Sequence, residues 1–445
     1  MDELEYDWLA IGSLTYATDF AASALIAGKP ERAIATQELL LNAGGTFRTL
    51  GQALTKDHRP YDILVNDQPG SIRSLLRSNP RFVLAWVELA RIQYSHGHVE
   101  AAGKSLRAAV ALAPYDRHVL RSQANFYVSI REPDRALHVL TPAASETFDP
   151  WLLSAEISVS EVAERKSKLR RKSRERLRAG QWHWGSVSEL ASELATLEDP
   201  SGKSSRARNL LQISLRQPTD NSIAQAVTIA QRDHAQWLID TLVKHKQDIS
   251  ESAEAAALHS ERMGNFEDAV RHARRWQKDQ PFSRTAANYG SSIAALGSED
   301  WASSLDFAVK GRRIHPNDAS LMNNMAYSLI ESGQDLDEAH RLILTAGKSK
   351  NMPPEFQAVV TATMGLHAYR TGDPEQGRRM YDQAALIAQQ LKKHRTEALA
   401  LSLHARETDD QSAAKKMLER ADKLIDSRDK LSLHVYQRST NLIKR

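Results

Sequence analysis

The chain has 445 residues, 41% hydrophobic and 26% charged, with 20 Gly and 15 Pro; that balance belongs to a folded chain, long enough for two or three ordinary domains or one repeat array. It has no cysteine, which excludes disulfides, Cys-ligated zinc, iron–sulfur clusters and thiol catalysis and agrees with a reducing compartment. The formal net charge is only +4, too small to imply a general polyanion-binding surface.

The opening MDELEYDWLAIG is acidic and lacks the basic segment of a signal peptide. No apolar run approaches the roughly eighteen residues a membrane span needs, so the expectation is a cytoplasmic chain with no membrane association. Residues 14–47 spell a weak helical pair, with Gly28 at its turn and Ala33 in its second helix. Residues 48–80 are the least regular part, and KDHRPYDILVNDQPG reads as a loop. Residues 1–80 therefore form a degenerate helical region ending in that loop.

The pattern sharpens at VLAWVELARIQYSHGHVEAAGKSLRAAVALAPYD, residues 83–116. Trp86, Leu89, Ala90 and Ile92 are spaced for one helical face, Gly97 breaks it, Ala101, Ala102, Leu106, Ala109 and Leu112 form a second stripe, and Pro114 ends it. Two short helices joined at a glycine make a helical hairpin. Trp86, Leu89, Ala90, Gly97, Ala102, Leu106, Ala109 and Pro114 fill, in order, eight positions of a 34-residue signature. The segment thus resembles the tetratricopeptide repeat. The phase continues through 117–150, with Leu120, Ala124, Tyr127, Ala136, Leu140 and Ala143, and closes on Asp149-Pro150, an N-cap with Pro at the first helical position. Residues 81–150 hold two regular repeats.

Residues 151–249 are irregular and basic, and 185–249 read as two degenerate helix pairs broken at Pro218-Thr219-Asp220. Regularity returns over 250–428. Residues 250–283 carry Ala257, Gly264, Ala269, Ala273 and Pro281, with Asn265 and Asp268 spaced almost as a capping box. Residues 283–318 carry a short insertion. Residues 319–352 carry Met322, Met325, Ala326, Gly333, Ala339 and Ala346; 358–391 carry Met364, Gly365, Gly372, Gly377, Tyr381 and Ala384; 395–428 carry Leu401, Ala414, Leu418 and Ala421. Residues 429–445 read as a C-terminal capping helix. The fold class expected is all-α, an α-solenoid of stacked tetratricopeptide-like hairpins, each burying its apolar face on the next.

The resemblance implies an inner groove lined by the first helix of each repeat. Its positions fall on Arg91, Tyr94, Arg121, Asn125, Glu254, Glu261, Arg262, Asn323, Tyr327, Tyr369 and Arg370. Arg and Tyr are frequent interface anchors, and the mixed charge suits a protein partner or an extended peptide. The family's chaperone-tail clamp is not implied, because the places of its basic and amide residues hold Val87, Arg91, Ser122, Ala155 and Val159.

Chemistry is poorly represented. Gly103-Lys104-Ser105 and Gly202-Lys203-Ser204 lack the earlier glycine of a phosphate-binding loop, having His98 and Leu197 there. Asp337-Glu338-Ala339-His340 falls where a second helix begins and reads as packing. The sixteen His form no metal-ligand spacing. The expectation is a chain without catalytic, metal or cofactor residues.

One stretch stands apart. ERKSKLRRKSRERLR, residues 164–178, has nine Lys or Arg against two Glu, a net +7. It occupies a second-helix place, but Arg165 stands at the turn and Arg170 and Arg174 at packing positions, so this pair is expected to run together as one shallow helix. Three readings stand: a solvated helix whose long stems cover its neighbours, a docking surface for an acidic protein, or nucleic-acid contact. In the last, Lys166, Lys168, Arg170, Arg171, Lys172, Arg174, Arg176 and Arg178 would meet phosphates and Trp182 and Trp184 would stack on bases. The function expected is a non-catalytic scaffold or adaptor holding a protein segment. The alternatives are a nucleic-acid-associated repeat protein or a regulatory subunit of a separately encoded enzyme. Nothing in the sequence names the partner or the oligomeric state.

Overall fold

A computed structural model describes residues 2–11, 14–26, 30–43, 54, 69–78, 80–183, 186–233, 235–349 and 353–443. All regular elements among them are helical. The chain divides into two compact units, Met1–Asp248 and Ile249–Arg445.

The first unit begins with α1 (Asp2–Ile11), α2 (Leu14–Ile26), a 3-10 turn at Pro30–Thr36, α3 (Gln37–Ala43) and α4 (Pro69–Ser78). Of the predicted loop at 56–70, residues 56–68 lie outside the described ones, and Pro69-Gly70 instead opens α4. Hairpins follow: α5 (Val83–Ser95) with α6 (Val99–Leu112), α7 (Arg117–Ser129) with α8 (Pro133–Thr147), α9 (Pro150–Val162) with α10 (Arg170–Arg178), α11 (Ser188–Glu198) with α12 (Ser205–Ser214), and α13 (Asp220–Asp233) with α14 (Gln236–Leu242). A 3-10 turn at Val243–His245 leads to α15 (Lys246–Glu251).

The second unit is more regular. It comprises α16 (Ala253–Met263) and α17 (Phe266–Asp279), α18 (Arg284–Ser298) and α19 (Trp301–Ile314), α20 (Ala319–Glu331) and α21 (Leu336–Gly347), α22 (Pro354–Arg370) and α23 (Pro374–Gln390), α24 (His394–Glu407) and α25 (Gln411–Asp422), and a last helix, α26 (Lys430–Ile443). Each first helix packs on its own second helix and on the next hairpin. No described helix is long and apolar enough to cross a membrane.

Small residues at the packing positions let the helices approach. Ala102, Ala109, Ala136, Ala269, Ala339 and Ala346 are fully buried. Large side chains fill the space between hairpins, among them Trp151, Phe307 and Tyr381, each contributing about 2–3 kcal/mol by burial. Polar caps fix the helix starts: Asp149 accepts from the backbone N–H of Trp151 and Leu152 at 2.9 and 3.1 Å, and Asp318 from that of Leu321 at 3.0 Å. The capping box expected at Asn265 does not form, since its side chain makes no cap hydrogen bond.

The basic stretch departs from its sequence reading. The two helices expected to merge are separate: α9 ends at Val162, and Glu164 takes a left-handed φ of 56° in the place of the missing turn glycine. Arg165 N–H then donates to Ser160 O at 2.8 Å and closes the turn. A non-glycine residue can hold this conformation at a modest cost.

The C-terminal helix does more than cover the final hairpin. α26 packs on α24 and α25 and also against α16 and α18, near the start of the unit. Leu431 joins the cluster of Phe266, Ala269, Ile293 and Phe307. His434 lies 4.8 Å from the Phe266 ring.

Candidate functional site

The first helices of the second unit line a partly open cavity of about 180 Å³. α18 contributes Ser291, Ser292, Ala295 and Leu296, and α20 contributes Asn323, Asn324 and Tyr327. α22 adds Ala358, Val359, Ala362 and Thr363, and α24 adds Thr396, Leu399, Ala400 and Leu403, while Tyr381 closes the back from α23. The hairpin register makes this wall, because positions recurring once per repeat fall on neighbouring first helices. None of these lining residues is charged.

Most polar groups of the wall are engaged. Ser291 and Ser304 share a 3.0 Å hydroxyl contact, and Asn324 Nδ2 donates to Ser292 Oγ at 3.1 Å. Thr363 Oγ1 donates to Val359 O at 3.1 Å, Thr396 Oγ1 to Glu355 Oε1 at 2.9 Å, and Tyr327 Oη to Glu331 Oε1 at 3.2 Å. Burial pushes the Tyr327 and Tyr381 hydroxyls well above the ordinary tyrosine range, so both stay protonated. Asn323 differs: it is 3% exposed, and no described residue hydrogen-bonds its Oδ1.

Charge gathers at the ends of the same helices. Arg370 bridges Glu331, at 3.2 Å, and Glu407, at 3.1 Å to Oε1. Burial pushes the Glu407 carboxyl up, and Arg370 opposes that shift. Glu299 receives both Arg406, at 3.2 Å, and Arg438 of α26, at 3.0 Å. Glu331, Arg370 and Glu407 occupy one position in three consecutive repeats. Arg370 follows from that groove position in the sequence, and the same position marks Glu331 and Glu407. Glu299, Arg406 and Arg438 carried none, because they come from the end of α18, α24 and α26, which no shared repeat position relates.

Beside the cavity, Tyr369 Oη meets His404 Nε2 at 3.1 Å, and His404 stacks on Tyr381 at 4.9 Å and 7°. Burial holds His404 below the ordinary histidine pKa. A Cβ on Gly377 would stand 2.5 Å from the Tyr369 ring, and one on Gly365 would stand 2.8 Å from that of Tyr381. Both glycines are required for close approach rather than for backbone freedom.

The structure thus brings Asn323, Tyr327, Tyr369 and Arg370 to one region. Glu261 lies apart, 3.6 Å from Arg395, with its carboxyl raised by burial. Glu254 and Arg262 are half-buried on the same helix, α16. In the first unit, Arg91 pairs with Glu88 at 2.5 Å, and Asn125 is exposed. Arg121 pairs with Glu189 at 2.5 Å and lies over the Trp151 ring. Tyr94 is as buried as Asn323, at 3% exposed, and packs edge-on against Phe126 at 5.3 Å.

The basic stretch leaves Arg165, Lys166, Lys168, Arg171, Lys172 and Arg178 exposed, while Arg170, Arg174 and Arg176 are half-buried. Lys172 and Arg176 both sit 3.9 Å from the Phe148 ring centroid. Arg174 pairs with Glu198 at 2.8 Å, Arg170 donates to Leu197 O at 3.0 Å, and Arg165 pairs with Asp134 at 2.7 Å. Arg171 meets Glu175 at 3.6 Å within the helix. Lys166, Lys168 and Arg178 are exposed, and Trp182 is half-buried. Trp184 lies outside the described residues.

No family model matches the chain, and no curated protein matches it. Among solved structures it is similar to yeast Tom70, at 13% identity over 96% of this chain and 94% of that one, with a TM-score of 0.33. It is also similar to the Cut9–Hcn1 hetero-tetramer of the APC/C, at 12% identity over 100% of this chain and 98% of that one, with a TM-score of 0.38. Likeness at this level leaves the functional reading to the residues. Among the described residues the chain is an all-α protein of helical hairpins, each packed on the next.

Proposed function

We propose that this chain is a non-catalytic scaffold that holds a segment of a partner protein against the first-helix face of its C-terminal unit. The observation that carries the reading is the cavity among α18, α20, α22 and α24: mostly apolar, free of charged side chains, and rimmed by ion-paired Glu and Arg. Apolar pockets with a few placed polar groups and a charged rim suit recognition of a peptide-like ligand. The same wall is ill-suited to acid–base chemistry, since its tyrosines are held protonated and its remaining polar groups are amides and hydroxyls.

Site-specific photo-cross-linking in the native host tests this. A cross-linker at Leu399, in the cavity wall, is expected to capture one protein with or without nuclease. A cross-linker at Leu386, exposed on α23, is expected to capture none in comparable amount. Capture only from Leu386, or capture lost on nuclease treatment, overturns the reading.

A further inference from the structure

We propose that the exposed cations of residues 166–178 form a docking surface for an acidic segment of a partner protein. The surface belongs to the first unit and does not draw on the cavity of the second.

α10 buries a single residue, Ser173, so apolar packing does little to hold so short a helix in place. Cations supply the attachment. Arg174 pairs with Glu198, Arg170 donates to Leu197 O, and Lys172 and Arg176 lie over the Phe148 ring. The rest of the charge faces solvent. Lys166, Lys168, Arg171 and Arg178 are exposed, and no ion pair among the described residues takes up Lys166, Lys168 or Arg178. Arg171 and Arg178 share one face of α10, about 10 Å apart along its axis, and the two lysines stand just ahead of its first turn. A patch of one sign attracts a complementary patch and steers its approach.

Two features favour a protein over a nucleic acid. Exposed carboxylates interrupt the patch: Asp134 lies 2.7 Å from Arg165, Glu175 lies 3.6 Å from Arg171, and Glu164 precedes Arg165. A phosphate backbone carries negative charge at every nucleotide and meets these with like charge. A protein segment can set a neutral or basic residue opposite each. Stacking is the second feature. The Phe148 ring is already met by Lys172 and Arg176, and Trp182 is half-buried, whereas an unpaired base needs an open ring face.

The test uses the full-length protein and two labelled probes of equal charge: a capped peptide of four Glu-Glu-Gly-Ser repeats and a nine-nucleotide oligothymidylate. Binding is read by fluorescence anisotropy at about 0.1 M salt, where charges more than about 10 Å apart are largely screened. The peptide is expected to bind more tightly than the oligonucleotide. Joint replacement of Lys166, Lys168, Arg171 and Arg178 with Gln is expected to weaken peptide binding about tenfold or more, since each exposed ion pair is worth a factor of up to about five. Replacing Lys278, Lys415, Lys416 and Lys423, exposed on the second unit, removes the same charge and is expected to leave peptide binding within about twofold. Melting curves matching the wild type show that each variant folds. Lys166→Glu with Lys168→Glu, both outside α10, repeats the measurement should the fourfold variant melt early. No peptide binding, binding unmoved by these replacements, or equal weakening by the second-unit replacements overturns the proposal and leaves a solvated face. Oligonucleotide binding as tight as the peptide's, or tighter, overturns it in favour of a nucleic-acid contact.

Discussion

Arg438, late in the C-terminal helix, reaches Glu299 at the end of α18 at 3.0 Å, and Arg406 of α24 reaches the same carboxylate oxygen at 3.2 Å. One carboxylate thus ties together α18, α24 and α26. The two guanidiniums are 12% and 19% exposed, and Glu299 is 37% exposed.

Glu299→Gln removes that charge and leaves two largely buried cations facing each other. Breaking a buried pair costs about 3–5 kcal/mol, and the exposure of Glu299 reduces this to roughly 1–3 kcal/mol. The expected outcome is faster amide hydrogen exchange over residues 430–443, with α20 to α23 little changed. Unchanged protection of α26 would show that Leu431 and Val435 hold it without the ion pair.

Gly365→Ala places a methyl group 2.8 Å from the Tyr381 ring and 3.0 Å from the Gly377 carbonyl. Overpacking of this kind costs about 1–3 kcal/mol, and a fall of a few degrees in thermal midpoint is expected. Gly70→Ala is the control: it meets open space in α4, and its midpoint should stay or rise slightly.

Glu193 gives the first unit a pH dependence. Burial pushes its carboxyl up to about 7, with Glu161 and Glu189 raising it further and Arg170 opposing. A carboxyl raised on folding is favourable while protonated in both states. Its contribution is therefore present at low pH and is lost as pH climbs from the ordinary glutamate value through about 7. Glu193→Gln should raise the melting temperature above pH 8 and leave it unchanged near pH 4. Equal melting curves at pH 8 would contradict the assignment.

The basic helix separates into structural and surface cations. Arg174→Gln, which loses its 2.8 Å pair with Glu198, should destabilise the first unit by about 1–2 kcal/mol in urea melts. Replacing exposed Lys166, Lys168 and Arg178 together with Gln should leave the melts unchanged. The reverse order of effects would return α10 to the role of a free polyanion-binding face.

The hairpins were legible because their information is local. A packing alanine, an N-cap aspartate and a turn glycine each act within one repeat, so Ala102, Asp149 and Gly264 could be read in place. The site was half legible for the same reason. Asn323, Tyr327, Arg370 and Tyr94 follow from repeat position alone, whereas the packing of Tyr94 is decided by Phe126 from the next hairpin. The separation of α9 from α10 was hidden because Glu164 takes a conformation that residue type does not announce. The joining of Glu299 to Arg438 depends on where α26 comes to rest, which no single repeat specifies.

An array in which each hairpin touches only its neighbours behaves like a chain of coupled beads and can fray from either end. The return of α26 to α16 and α18 changes that arithmetic for the second unit. Its last helix and its first now share one fate, so opening the end requires opening the beginning. The unit should lose its structure in a single step, and removal of residues 430–445 should convert that step into progressive melting. Pairing elements so far apart in sequence also raises contact order, which slows folding. Compared with an open stack of the same hairpins, this unit should fold more slowly and, once folded, open less often at its ends.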